Sequence, residues 1–216
     1  MQITIREPGS AITHYIGMLL SLFAAAPLLL KAGISQIPSA VTAMSIFVLA
    51  MISLYAASTL YHSLNVKDSV LKLFRKLDHM MIFVLIAGTY TPVCMLVLSK
   101  KTGMFLLALI WGIAIAGILF KAFWINCPKW FSSIIYTAMG WVCLFVFPML
   151  MNRLSAAAFG WLLAGGIMYT AGGIVYALKL KGFNRMHKFF GSHEIFHLFV
   201  MAGSFCHFIV MYCIVV

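Results

Sequence analysis

The chain has 216 residues, 64% hydrophobic and only 9% charged, with mean hydropathy +1.06. Soluble domains carry roughly 25% charged residues, so a water-soluble globule is excluded, and with it disordered, collagen-like and disulfide-stapled classes. The net charge of +11 in so apolar a chain reads as topology signals and attraction to anionic lipid, and nucleic acid is excluded as a partner.

A membrane helix needs about 20 mainly apolar residues. In chain order the predicted spans are 11–30, 38–62, 79–99, 103–124, 131–151, 155–178 and 193–215. The predicted fold class is an all-α integral membrane protein, a seven-transmembrane-helix bundle. It forms a single heptahelical membrane domain over 1–216, multi-pass in the cell membrane, with all backbone polar groups satisfied inside helices. The first span contains Ala24-Ala25-Ala26-Pro27. The alanines suit signal peptidase but a proline after the cut does not, so the reading is an uncleaved first helix. Pro27, Pro92 and Pro148 fall inside spans and predict kinks. The five cysteines, Cys94, Cys127, Cys143, Cys206 and Cys213, form no CxxC and no disulfide framework. Small residues four apart (Ala108, Gly112, Ala116; Gly160, Ala164) read as helix-packing positions.

Orientation follows from lysine and arginine. The N-terminus and the loops after spans two, four and six hold 11 of the 15 basic residues. They are Arg6; Lys67, Lys72, Arg75 and Lys76; Lys121 and Lys129; Lys179, Lys181, Arg185 and Lys188. Lys31, Lys100, Lys101 and Arg153 lie opposite. The N-terminus is therefore expected to be cytoplasmic and the C-terminus extracytoplasmic. In the longest loop, 63–77, Val70, Leu73, Phe74 and Leu77 follow helical spacing among basic residues. That pattern predicts a short amphipathic helix on the inner leaflet or, equally, a basic connector.

Ionisable groups at membrane spans are costly and need partners. The chain has four acidic residues, Glu7, Asp68, Asp78 and Glu194, and seven histidines. Span two ends in Ser58-x3-His62, one helical face. Span seven begins His193-x3-His197, two histidines that can hold one metal, and span three begins at Asp78-His79. With seven spans these groups share one membrane depth on one side. Three imidazoles supply three zinc ligands and leave the fourth position to water, the ligand count of a catalytic site. Zinc lowers the pKa of such a water toward about 7. Asp78 is then the candidate orienter of a ligand histidine or acceptor of the water's proton, and Ser58 the donor to a reacting carbonyl.

A histidine alone at a helix end is usually an interfacial or satisfied polar residue. His14, His79, His187 and His207 receive that reading; His207, about 21 Å along the helix from His193, is placed to line a cavity. His193-Glu194-Ile195-Phe196-His197 also matches HExxH, the metalloprotease motif with Glu194 as base. The extended form needs Gly at 200 and His at 203, where this chain has Val200 and Gly203. The protease reading also leaves Ser58, His62 and Asp78 without a role. Glu194 reads instead as an acid complementing the dipole at the start of span seven.

Ser58-x3-His62, Asp78 and His193-x3-His197 across seven spans resemble the progestin and adipoQ receptor family. The length and the lack of extra domains resemble its bacterial, haemolysin III-like branch. The resemblance covers essentially the whole chain. It implies a Zn2+ site of His62, His193 and His197, with Asp78 and Ser58 nearby, in a bacterial plasma membrane. It also links the chain to membrane hydrolases that include alkaline ceramidases. Family members carry a Glu-containing motif ending in Arg-Pro before the first span. Here Arg6-Glu7-Pro8 is a compressed likeness, and Glu7 is given no role. The soluble N-terminal region of the eukaryotic receptors is absent, so hormone recognition does not carry over.

The first expectation is a zinc-dependent hydrolase of a membrane lipid amide or ester, ceramidase-like, near the cytoplasmic leaflet, with a place in membrane lipid homeostasis. The alternatives are a lipid sensor or receptor with structural zinc, and a haemolysin-like pore former. The sequence gives no oligomeric state.

Overall fold

Long apolar runs carry no unpaired backbone groups only if they coil, and the chain does so throughout. The computed structural model describes residues 5–178, 180–186 and 190–215. Lys179, His187 and Lys188, and with them the expectations placed there, lie outside the described residues. The helices are α1 (Pro8–Ile34), α2 (Ala40–Ser63), α3 (Asp68–Pro92), α4 (Lys100–Phe123), α5 (Lys129–Gly140), α6 (Phe147–Arg153), α7 (Ala156–Leu178), α8 (Lys181–Met186) and α9 (Ser192–Ile214). Among the described residues, seven stretches are long and apolar enough to span a membrane: α1, α2, Asp68–Val97, α4, Lys129–Arg153, α7 and α9. No strand occurs among the described residues.

The prolines act differently from one another. Pro27 sits within α1 without ending it. Pro92 ends α3 and is followed by a π-helical turn, Val93–Val97, the kind of irregularity that absorbs a lost backbone bond. The span holding Pro148 is broken into α5, a 3-10 stretch Trp141–Val146 and α6, with Pro148 in the first turn of α6, where its missing N–H costs nothing. The Tyr90 hydroxyl braces that break. It donates to the Gly140 carbonyl at 2.6 Å and accepts from the Cys143 N–H at 2.8 Å.

Two expectations are corrected. The amphipathic stretch within 63–77 is helical from Asp68 onward but is not a separate surface helix; it is the first turns of α3. Ten residues separate Asp68 from Asp78, so α3 runs on by about 15 Å ahead of Asp78. Helix propagation costs less than stopping and renucleating, and nothing between Lys67 and Pro92 breaks the run. The small residues at 108, 112 and 116 are exposed, as is Gly160, and a Cβ added at Gly112 or Gly160 would meet nothing. The packed face of α4 is Gly103, Leu106, Ile110, Ala114 and Gly117. The spacing was helical, but α4 turns that stripe outward.

Close helix contact is set elsewhere. A Cβ at Gly88 would lie 2.5 Å from the Ala50 Cβ, which keeps α2 and α3 in tight register. α1 packs on both α2 and α9, and α7 packs along α9. The core between them holds Phe47, Met51, Leu54, Tyr55 and Phe83, each at most 3% exposed. Large apolar side chains such as Phe105, Phe123 and Phe145 face outward, as a lipid-facing surface requires.

Candidate metal centre

The end of α2, the start of α9 and the first turns of α1 meet at one end of the bundle. His62 and His197 are each 1% exposed. One ring nitrogen from each of His62, His193 and His197 lies within 4.8 Å of the others. Ring centroids are 5.0 Å apart for His62–His193, 5.2 Å for His62–His197 and 4.5 Å for His193–His197. The i, i+4 spacing of α9 puts His193 and His197 on one face, and the α1–α9 and α2 contacts turn that face toward His62.

The hydrogen bonds fix which nitrogens are free. Glu7 accepts from Nδ1 of His62. Its backbone N–H also donates to the His62 carbonyl at 3.0 Å. Thr13 commits its hydroxyl proton to the Ser10 and Gly9 carbonyls, at 2.9 and 3.0 Å, so its oxygen accepts from Nδ1 of His197 at 3.0 Å. Both histidines are thereby held in the tautomer whose Nε2 carries a lone pair. This is the usual way an outer hydrogen bond prepares an imidazole for a metal. Nε2 of His193 stands 3.3 Å from Nε2 of His62, and Nδ1 of His193 is buried without a partner. Facing lone pairs in a buried site are repulsive unless a cation or a proton lies between them. The donor set therefore fits a metal, and three neutral imidazoles suit zinc.

Glu7 lies just outside the first span. The hydrogen bond from His62 is the largest influence on it and holds its carboxyl below its ordinary value, against partial burial; Arg6 acts in the same direction. Arg6 straps the segment down, donating to the Tyr61 carbonyl at 2.7 Å with its guanidinium 4.4 Å from the Tyr61 ring centroid.

Ser58 is fully buried, one turn from His62, and its hydroxyl has no partner. Asp78 is within electrostatic reach of His62 and His14. Its carboxylate is 3.3 Å from Nδ1 of His79, so the histidine it pairs with is not one of the three clustered ones. Glu194 is engaged at the start of α9. It caps α9 by accepting from the Gly191 N–H at 2.7 Å and also accepts from the Ser10 hydroxyl. That is a structural assignment for the acid of the HExxH match.

His14 and His79 depart from each other. His79 is satisfied by the Arg75 carbonyl at 2.9 Å and the Tyr176 hydroxyl at 3.4 Å. His14 is not satisfied: both ring nitrogens are buried without partners, and its ring stacks on His197 at 3.5 Å between centroids. Glu7, Thr13 and His14 were not assigned from the sequence. The signal was present: topology put 6–14 at the membrane level of His62, and Thr13-His14 is a polar pair in an apolar run.

Beside the cluster lies a cavity of about 140 Å³ between α3, α5, α7 and α9. Tyr176 and Phe196 line it and also flank His193, at 5.9 and 6.0 Å between ring centroids. Ile82, Leu150 and Leu163 make its wall apolar, and His207 lines it as expected.

Fold and site together define a seven-helix membrane protein with a buried histidine cluster at one end of the bundle. The chain belongs to the haemolysin III-related family, whose pattern matches residues 2–208. It is 40% identical to Hemolysin-3 of Bacillus cereus over 94% of this chain and 89% of that protein. It is 37% identical to the Hemolysin-3 homolog of Bacillus subtilis over 98% and 96%. A shorter match, 37% over 60 residues, joins it to the Adiponectin receptor protein of Drosophila melanogaster, covering 26% of this chain and 14% of the receptor. The resemblance read from the motifs holds, and the chain is a multi-pass bacterial membrane protein.

Proposed function

We propose that the protein is a zinc-dependent hydrolase acting on the amide or ester of a membrane lipid. The observation that carries this reading is the convergence of imidazole nitrogens beside an apolar cavity. His62, His193 and His197 hold the metal, while Glu7 and Thr13 orient two of them. Zinc bound there supplies an acidified water and a Lewis acid for the carbonyl. Asp78 takes up the proton of the attacking water. Ser58, whose hydroxyl is otherwise unpaired, donates to the carbonyl oxygen as charge develops on it. The cavity takes the acyl chain and excludes water from it.

In this reading the site faces the cytoplasmic leaflet. A reporter fused to the C-terminus tests that side, and an external signal is expected. Function is tested by lipid-amide turnover in purified, zinc-loaded protein reconstituted in liposomes. Turnover abolished by chelation and restored by zinc is the expected result. Lipid bound but not consumed, with zinc retained, would instead make this a sensor. A pore reading rests on the names of the Bacillus relatives. Dye leakage from the same liposomes, insensitive to chelation, would favour it.

A further inference from the structure

Lys121 is 1% exposed, in the last turn of α4. The sequence reading counted it as a loop cation. Its ammonium donates to Ser132 Oγ at 2.6 Å and to Cys127 Sγ at 3.0 Å, and Cys127 Sγ is 3.1 Å from Ser132 Oγ. No carboxylate is within ion-pair distance of it among the described residues. The C-terminal carbonyls of α4 and the rings of Phe120 and Tyr136, at 5.7 and 5.9 Å, partly offset its burial. The thiol of Cys127 thus has a cation and a hydroxyl as its neighbours.

We propose that Cys127 and Lys121 form a modification site: a reversible nitrogen–sulfur crosslink made by a hydroperoxide. The Cys127 sulfur attacks the peroxide, whose O–O bond breaks. One oxygen stays on sulfur as the sulfenic acid and the other leaves as water, so sulfur loses two electrons and peroxide gains them. Lys121, its extra proton having passed to solvent, attacks that sulfur. The N–S bond forms, the S–O bond breaks, and the departing hydroxide takes a proton from nitrogen and leaves as a second water. Two thiol equivalents reverse the step, giving thiol, amine and a disulfide of the reductant. The bond ties the last turn of α4 to the connection leading into α5. Because α5 also carries Ser133 and Tyr136 of the cavity wall, the crosslink fixes that wall in place.

The test is peptide mapping of purified full-length protein after exposure to hydrogen peroxide, followed by tryptic digestion under denaturing conditions. The amine in the crosslink is no longer a trypsin site. The expected product is therefore a 102–129 peptide uncut after Lys121 and two hydrogens lighter than the reduced, uncut peptide. It disappears on treatment with dithiothreitol and is absent from Cys127→Ser. In Lys121→Arg, which keeps the cation, Cys127 is expected to stop at the sulfenic acid and be captured by dimedone. Normal cleavage after Lys121 in peroxide-treated wild type, with Cys127 unmodified or carried on to sulfinic acid, overturns the proposal. So does modification of the exposed Cys213 at peroxide doses that leave Cys127 reduced.

Discussion

Two of the buried polar clusters in this bundle, one around Lys121 and one around His62, are built on opposite plans. In the lysine cluster the groups satisfy one another: ammonium to hydroxyl, ammonium to sulfur, sulfur to hydroxyl. In the histidine cluster the outward nitrogens of two rings are anchored on Glu7 and Thr13, while the inward nitrogens converge and Nδ1 of His193 is buried without a partner. Polar groups that close on themselves need nothing from outside. Ring nitrogens gathered together with one left buried and unpartnered do, and such a deficit is the mark of a ligand site.

The largest effect that would break this contrast is on metal content. Purified wild type is expected to hold about one zinc per chain. His62→Ala, His193→Ala and His197→Ala should each weaken zinc affinity by more than about 100-fold, beyond the loss typical of an outer-shell change. Metal analysis after desalting reads this directly. Full zinc in all three variants would mean that the converging nitrogens are only a packing arrangement.

Next in size is the division between the two acids near the cluster. Asp78→Asn should lower lipid-amide turnover by about 100-fold or more with zinc retained, since an amide takes up no proton. Glu194→Gln should leave turnover within about threefold and cost about 1 kcal/mol of stability through the weakened cap of α9. The reverse pattern would move the base to Glu194 and restore the HExxH reading.

The outer hydrogen bonds come third. Glu7→Gln keeps the size of the side chain but removes the carboxylate, and should weaken zinc by about tenfold or somewhat more. Thr13→Val should act in the same direction and less strongly. Competition with a fluorescent chelator measures both; unchanged affinity would show that His62 and His197 hold their tautomers unaided. Ser58→Ala should lower turnover by about tenfold, below the effect of losing a full oxyanion donor.

The smallest effect belongs to the other cluster. Lys121→Met should leave zinc content within about twofold of wild type, because the hydrogen bonds of Lys121 go to Ser132 and Cys127 and not to the clustered histidines. A large loss of zinc there would join the two clusters into one network.

The number of membrane spans, their apolar character and the gathering of His62, His193 and His197 were legible in the sequence. They follow from local rules: apolar length, helical spacing, and the parity of a chain that crosses seven times. Asp78 shows where that legibility stops. Its partner, His79, depends on how α3 is rotated, and no residue count fixes rotation. The outward stripe of Ala108, Gly112 and Ala116 is the same lesson, since spacing names a face but not what it meets. Glu7, Thr13 and His14 join the site only because α1 packs between α2 and α9. Lys121 became a buried cation only when the α4–α5 connection folded over it. Apolar length and helical periodicity are properties of single segments, and the sequence alone determined them. Which polar groups are left unpaired is a property of several segments packed together, and only the tertiary structure decided it.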